Sequence, residues 1–134
     1  MIKVAVGIIM QDNNILLCQR KPDARYGLKW EFPGGKLEQN ESPEDCLRRE
    51  LHEELGINAD LVGLFHHQHS DYKDGGSFDV YYYYITDYKN KLANQVFASI
   101  AWVPVSEINQ YDILEGNREV VLLLIERYAA IQSR

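Results

Sequence analysis

Apolar positions fall into short β-rich runs along most of the chain, and only two stretches carry a helical period. Ile2 to Met10 and Ile15 to Arg20 are dense in Val, Ile and Leu, with the polar turn Gln11-Asp12-Asn13-Asn14 between them. This pattern predicts a hairpin. Lys21 to Lys29, holding Pro22 and Gly27, predicts a loop, followed by the short apolar piece Trp30-Glu31-Phe32 and the breaker Pro33-Gly34-Gly35. Leu47, Leu51 and Leu55 then recur every four residues. Ser42 is placed to cap this helix, Pro43 opens its first turn, Glu44 and Asp45 suit that end, and Gly56 closes it in a left-handed conformation.

Strand patterns resume at Leu61 to Gln68 and Phe78 to Ile85, split by the turn Asp74-Gly75-Gly76, and again at Ser99 to Val103. A last amphipathic helix is expected from about Asn117 to Ile131, with Val121, Leu124, Ile125 and Tyr128 on one side. Strands, helix, strands, helix is an α+β order. It predicts a mixed sheet between helices rather than a parallel doubly wound fold.

The 134 residues suit one domain, 1–134, large enough to bury a core without staples. The hydrophobic share of 46% and charged share of 25% are ordinary for a globular protein, with no repeat or low-complexity tract. A net charge of −6 argues against gripping a nucleic-acid polymer, whose phosphates need a basic face. It leaves room for a small phosphorylated substrate, since bound cations can invert the local sign. Cys18 and Cys46 stand alone, without metal-ligand spacing, and are expected to be reduced, buried thiols. The apolar N-terminus is too short to span a membrane and lacks the marks of a signal peptide, so a cytoplasmic protein with no membrane partner is expected.

Chemistry concentrates between Gly35 and Ile57. Glu50, Glu53 and Glu54 stand at i, i+3 and i+4, within an arc of about 100° that the leucine stripe does not share. Carboxylates so close repel one another and are costly to ionise without cations. Their hard oxygens suit Mg²⁺, or Mn²⁺ in its place. The competing reading is a solvated, salt-bridged helix face around Arg49. Orientation speaks against it, because acids in a last helical turn oppose the macrodipole. Pro33-Gly34-Gly35 lets backbone approach an ion or phosphate closely, and Lys36 can meet a phosphate oxygen as a point charge. The full spacing, from Gly35 through Glu41 and Arg49-Glu50-Leu51 to Glu53-Glu54, Gly56 and Ile57, matches by chance roughly once in 10⁹ to 10¹⁰ starting positions.

At these positions the chain resembles the Nudix hydrolases, and Trp30-Glu31-Phe32-Pro33-Gly34-Gly35-Lys36 resembles the MutT-like branch (8-oxo-dGTP diphosphatase and CTP pyrophosphohydrolase). The likeness implies the Nudix fold, an α/β/α sandwich around a mixed sheet. It also implies Mg²⁺-dependent hydrolysis of a nucleoside diphosphate linked to another group. By position, Glu50, Glu53 and Glu54 would be metal ligands together with the Gly34 carbonyl. Glu50 is favoured as the base that deprotonates water, Arg49 would orient a glutamate, and Glu41 would support the site from behind. One departure from many relatives stands out. The stretch Asn94-Gln95-Val96-Phe97-Ala98-Ser99 carries no acid where they keep a further Glu, which leaves the helix glutamates to act alone.

Substrate residues lie outside the box. Arg20 resembles an arginine that reaches substrate, against the alternative of an exposed strand-end charge. Asn117 resembles a reader of the base edge, against the alternative of an N-cap for the last helix. Phe78 and Tyr81 are candidates to stack a base, although tyrosines in a strand also serve as sheet surface. His66, His67 and His69 alternate along a strand and read as polar strand residues rather than a metal site. The leading expectation is a nucleoside triphosphate pyrophosphohydrolase that acts on 8-oxo-dGTP or a related nucleotide, as a monomer or homodimer. Alternatives are action on CTP or dCTP, on a nucleotide sugar or ADP-ribose, and last a non-catalytic Nudix-fold sensor. Sensors usually lose the glutamates, and none is lost here.

Overall fold

The structure, a computed structural model, describes residues 1–132. Its elements follow the order β1 (Ile2–Gln11), β2 (Asn14–Gln19), β3 (Trp30–Glu31), β4 (Gly34–Lys36), α1 (Pro43–Leu55), β5 (Asn58–Asp71), β6 (Ser77–Lys89), β7 (Ser99–Pro104) and α2 (Arg118–Gln132). Short 3₁₀ turns at Val105–Gln110 and Glu115–Asn117 precede α2. The seven strands form one mixed sheet with the path β3-β2-β1-β6-β5, to which β4 adds beside β1 and β7 beside β2. Only β1 and β6 run parallel.

The pleat sorts side chains between two cores. On one face Ala5, Ile9, Leu16, Cys18 and Ile85 pack under Cys46, Leu47, Leu51 and Leu55 of α1. On the other, Val6, Ile8, Ile15, Leu17, Val80 and Tyr82 pack under Val120, Val121 and Leu124 of α2. Helix, sheet, helix is the expected sandwich, and it follows from strands buried on both faces. Among the described residues no helix is long and apolar enough to cross a membrane.

Local signals in the sequence hold with small adjustments. The β1–β2 turn needs only Asp12 and Asn13, both left-handed at φ 51° and 66°, the geometry that matches strand twist in a two-residue hairpin. Ser42 accepts the Asp45 amide at 3.1 Å, and Gly56 closes α1 at φ 73°. β5 and β6 run well past the expected spans, because ladder pairing continues through polar ends that carry no apolar alternation (Asn58↔Lys89, Asp71↔Ser77). α2 begins one residue later than expected. Asn117 belongs to the preceding 3₁₀ turn and accepts from Phe32 rather than from the amides of α2, so the N-cap reading is replaced.

Leu51 is fully buried beneath α1, whereas Leu122 on α2 is 60% exposed. Leu51→Ala should therefore cost about 2–5 kcal/mol of unfolding free energy and Leu122→Ala within about 0.5, as read from urea midpoints. Equal effects would contradict this assignment of the core.

Candidate active site

The carboxyl end of α1 meets the glycine turn at β4. Gly34 donates its amide to Glu54 Oε1 at 3.1 Å. A Cβ on Gly34 would lie 2.1 Å from the Ala5 carbonyl oxygen, and one on Gly35 would lie 2.3 Å from the Glu50 carboxyl carbon. Gly34 needs glycine because strand backbone lies too near for any side chain, whereas a side chain at Gly35 would displace the Glu50 carboxylate. Gly35 also receives the Cys46 thiol at its carbonyl, at 3.5 Å. Beyond the helix, the loop after β6 supplies backbone donors: Ala93 to the Leu55 carbonyl and Gln95 to the Glu54 carbonyl, each at 3.0 Å. The stretch without an acid thus begins by satisfying, through Gln95 and with the adjoining Ala93, the last carbonyls of α1.

Arg49 organises the acids. It grips Glu41 with two parallel hydrogen bonds of 2.9 Å, donates to Glu50 Oε1 at 2.9 Å and to the Lys36 carbonyl at 3.2 Å. Glu53 and Glu38 complete the ring at 3.6 and 3.7 Å. The guanidinium holds Glu41 down to about 2. Glu50 rises above its ordinary value because burial outweighs the pull of Arg49. Glu54 has no ion pair among the described residues. Burial, with the charges of Glu50 and Glu31 behind it, pushes it up to about 9.

A divalent ion fits this donor set. Glu54 is a half-buried carboxyl that a bound cation would bring into its charged form, and the glycine turn leaves space for the Glu50 carboxylate beside it. As the side chains stand, no three acidic, His or Cys groups among the described residues are gathered at ion-holding spacing. Arg49 bridges Glu50 and Glu53 instead, and Glu53 is largely exposed. What the arrangement offers is two carboxyls of raised basicity, Glu50 and Glu54, an exposed third in Glu53, and a guanidinium that touches Glu50 and Glu53.

A cavity of about 340 Å³ adjoins this cluster. Gly34, Gly35, Lys36 and Glu54 line it, and so do Arg20, Phe78 and Asn117. Arg20 is not an exposed strand-end charge: it pairs with Glu31 at 3.1 Å and donates to the Arg25 carbonyl at 2.7 Å. Asn117 is 6% exposed, accepts the Phe32 amide at 3.2 Å and donates to the Tyr82 hydroxyl at 2.9 Å. Phe78 packs edge-on against Tyr72 in the cavity wall. Tyr81, proposed beside it as a stacking residue, lies elsewhere. Odd and even residues of β6 face opposite ways, so Tyr81 stacks on His67 with ring centroids 4.1 Å apart, on the α1 side. His67 pairs with Asp79, His69 with Asp71, and His66 with Glu119, which agrees with polar strand roles.

Cavity residues not singled out as site residues from sequence include Glu31, Arg25, Tyr72 and Tyr82. Glu31 is raised by burial against the pull of Arg20, and a lone acid inside an apolar strand was its available signal. Arg25 pairs with Asp74 of the β5–β6 turn and lies over the Tyr26, Tyr72 and Phe78 rings. Nothing local connects residues 49 apart, so no sequence pattern announces that pair.

Comparison with known proteins agrees with this geometry. The family model described as "NUDIX domain" matches residues 1–124. A protein of Escherichia coli named CTP pyrophosphohydrolase is 32% identical over 99% of this chain and 95% of its own length. Another from the same organism, named 8-oxo-dGTP diphosphatase, is 31% identical over 92% of this chain and 95% of its own. The solution structure of an E. coli protein superposes with a TM-score of 0.81 at 30% identity, covering 98% of this chain and 91% of that one.

Glu54 supplies a test of the ion site. Millimolar Mg²⁺ should raise the melting temperature of the wild type in a concentration-dependent way. Glu54→Gln keeps an oxygen to accept the Gly34 amide and takes away the carboxyl whose ionised form an ion needs. Without metal it should melt no lower than wild type, and it should lose most of the Mg²⁺ shift. A destabilised variant that retains the full shift would place the ion elsewhere.

Proposed function

This chain belongs to the NUDIX family as a MutT-like hydrolase, and from that premise we propose that it converts a nucleoside triphosphate and water to the monophosphate and pyrophosphate. We assign this to one catalytic domain, residues 1–134. The observation that carries the reading is a single cavity lined both by Glu54, Gly34 and Lys36 and by Phe78 and Asn117. Acids and a glycine turn at one part of the wall suit a cation and phosphates, and an aromatic ring with a carboxamide suits a base.

Nudix hydrolases use divalent cations, and the oxygen donors here favour Mg²⁺, with Mn²⁺ as a substitute. Bound ions would supply phosphoryl polarisation and charge neutralisation, held by Glu50, Glu53, Glu54 and the Gly34 carbonyl. Glu50 takes the proton of the attacking water, suited to this by the burial that raises it above an ordinary carboxylate. Arg49 fixes Glu50 while its two-pronged hold on Glu41 keeps the guanidinium from swinging away. Lys36 and Arg20 meet phosphate oxygens. Phe78 stacks the base and Asn117 reads its edge.

The Asn117 amide sets the donor and acceptor pattern that the facing base edge must meet. After its bonds to Phe32 and Tyr82 it retains one N–H and one lone pair. That pair fits an edge offering an acceptor beside a donor, such as O6 with the N7–H of 8-oxoguanine. It does not fit the N7/O6 edge of unmodified guanine, which has two acceptors, but guanine O6 with N1–H and adenine N7 with the N6 amine do match it, so the oxidised base is distinguished only when the N7 edge faces Asn117. The N3/N4 edge of cytosine fits as well, so CTP or dCTP is the second reading, favoured also by the E. coli relative named for CTP.

The test is a hydrolysis screen across common and oxidised nucleoside triphosphates, nucleotide sugars and dinucleotides, with products identified. Monophosphate and pyrophosphate should appear from 8-oxo-dGTP or CTP, and EDTA should abolish turnover. Glu53→Gln should lower kcat by about 10²-fold or more while the protein stays folded. Full turnover in EDTA, or a preference for nucleotide sugars, would reject the proposal.

A further inference from the structure

We propose that Tyr82 is a positioning residue that fixes which way the Asn117 carboxamide faces, and thereby sets base preference. This rests on the reading of Asn117 as the base-contacting group. The argument follows from which atoms can only give and which can only receive a hydrogen bond. The Gly116 carbonyl only accepts, so the Tyr82 hydroxyl, 3.1 Å away, donates to it. The Tyr82 oxygen is left as an acceptor, and it takes Asn117 Nδ2 at 2.9 Å. On the other side the Phe32 amide only donates, so it selects Asn117 Oδ1 at 3.2 Å.

Both neighbours therefore demand the same orientation. A flipped amide would set Nδ2 against the Phe32 N–H, and it could keep the Tyr82 hydroxyl only by drawing its proton away from the Gly116 carbonyl, so one bond is lost on each side. The anchor of this chain is itself held. Gln68 Nε2 donates to the same Gly116 carbonyl at 2.9 Å and to Ser70 at 2.8 Å. That commitment leaves Gln68 Oε1 buried without a partner among the described residues, the kind of local cost that gathers at functional sites. The Tyr82 ring is completely buried, so its hydroxyl cannot rotate away to water.

Without that hydroxyl the amide is oriented by Phe32 alone, and a flipped carboxamide presents the opposite donor and acceptor to the base. Tyr82→Phe is close to isosteric and should fold. The measurement is kcat/KM for the eight common NTPs and dNTPs and 8-oxo-dGTP with Mg²⁺, on wild type, Tyr82→Phe, Asn117→Ala and the double variant. Tyr82→Phe should cut discrimination between the best and the rejected base by about tenfold, the scale of one oriented hydrogen bond. The loss should fall in KM, with kcat on the best substrate within about twofold, and the double variant should discriminate no worse than Asn117→Ala. The Asn117 side-chain NH₂ signal in ¹⁵N NMR should also exchange faster with water in Tyr82→Phe. If Asn117→Ala loses discrimination and Tyr82→Phe keeps it, Tyr82 is only core. If Asn117→Ala itself discriminates as wild type does, the base-reading role of Asn117 falls, and this inference with it.

Discussion

The site hangs on three consecutive residues, Phe32-Pro33-Gly34. The Phe32 amide holds Asn117, the Gly34 amide holds Glu54, and the Pro33 carbonyl is tied to Gly7 of β1 at 2.8 Å. A span of two residues covers at most about 7 Å, so one short piece of backbone sets the separation between the carboxamide and the half-buried carboxyl. Glu54 comes from α1 and Asn117 from the 3₁₀ turn before α2. Each is referred to the same segment, which is bonded to the central strand. Pro33 cannot donate and Gly34 has no side chain, and in each case the missing group leaves space or frees a bond that the geometry uses.

The second requirement is electrostatic. Acids at the carboxyl end of a helix oppose its dipole and repel one another, and the fold answers with two devices from different parts of the chain. Arg49, one turn back, binds four glutamates. The loop after β6 brings Ala93 and Gln95 amides to the terminal carbonyls, which removes unsatisfied negative ends from beside the carboxylates. Glu54 is the group these devices leave uncompensated. A protein optimised for stability alone would not keep it.

What was legible in the sequence was local. Ser42, Pro43, the leucine stripe and Gly56 announce α1 because capping and periodicity act over one or two turns, and the Gly35-to-Ile57 spacing identifies the acidic end for the same reason. The glycine turn was readable because only glycine tolerates such close backbone. Less was legible where the partner is remote. Glu31 has meaning only beside Arg20, and Tyr82 only beside Asn117, 35 residues away. Tyr81 was the wrong tyrosine because a one-residue step along a strand changes faces, and a run of four tyrosines in β6 hides the register. Asn117 had two readings in sequence, since a polar residue before a helix looks the same whether it turns toward the helix amides or across the sheet to Phe32.

Cys46 lies under the glycine turn, its thiol against the Gly35 carbonyl, and burial with the nearby Glu41 charge pushes it up to about 12. Cys18 is buried in the same core. Oxidants attack the thiolate, and they need access to it. Both cysteines lack either condition, so peroxide has no ready entry to the backbone that shapes the site. The sulfur beneath the glycine turn is therefore placed to fill space and not to react.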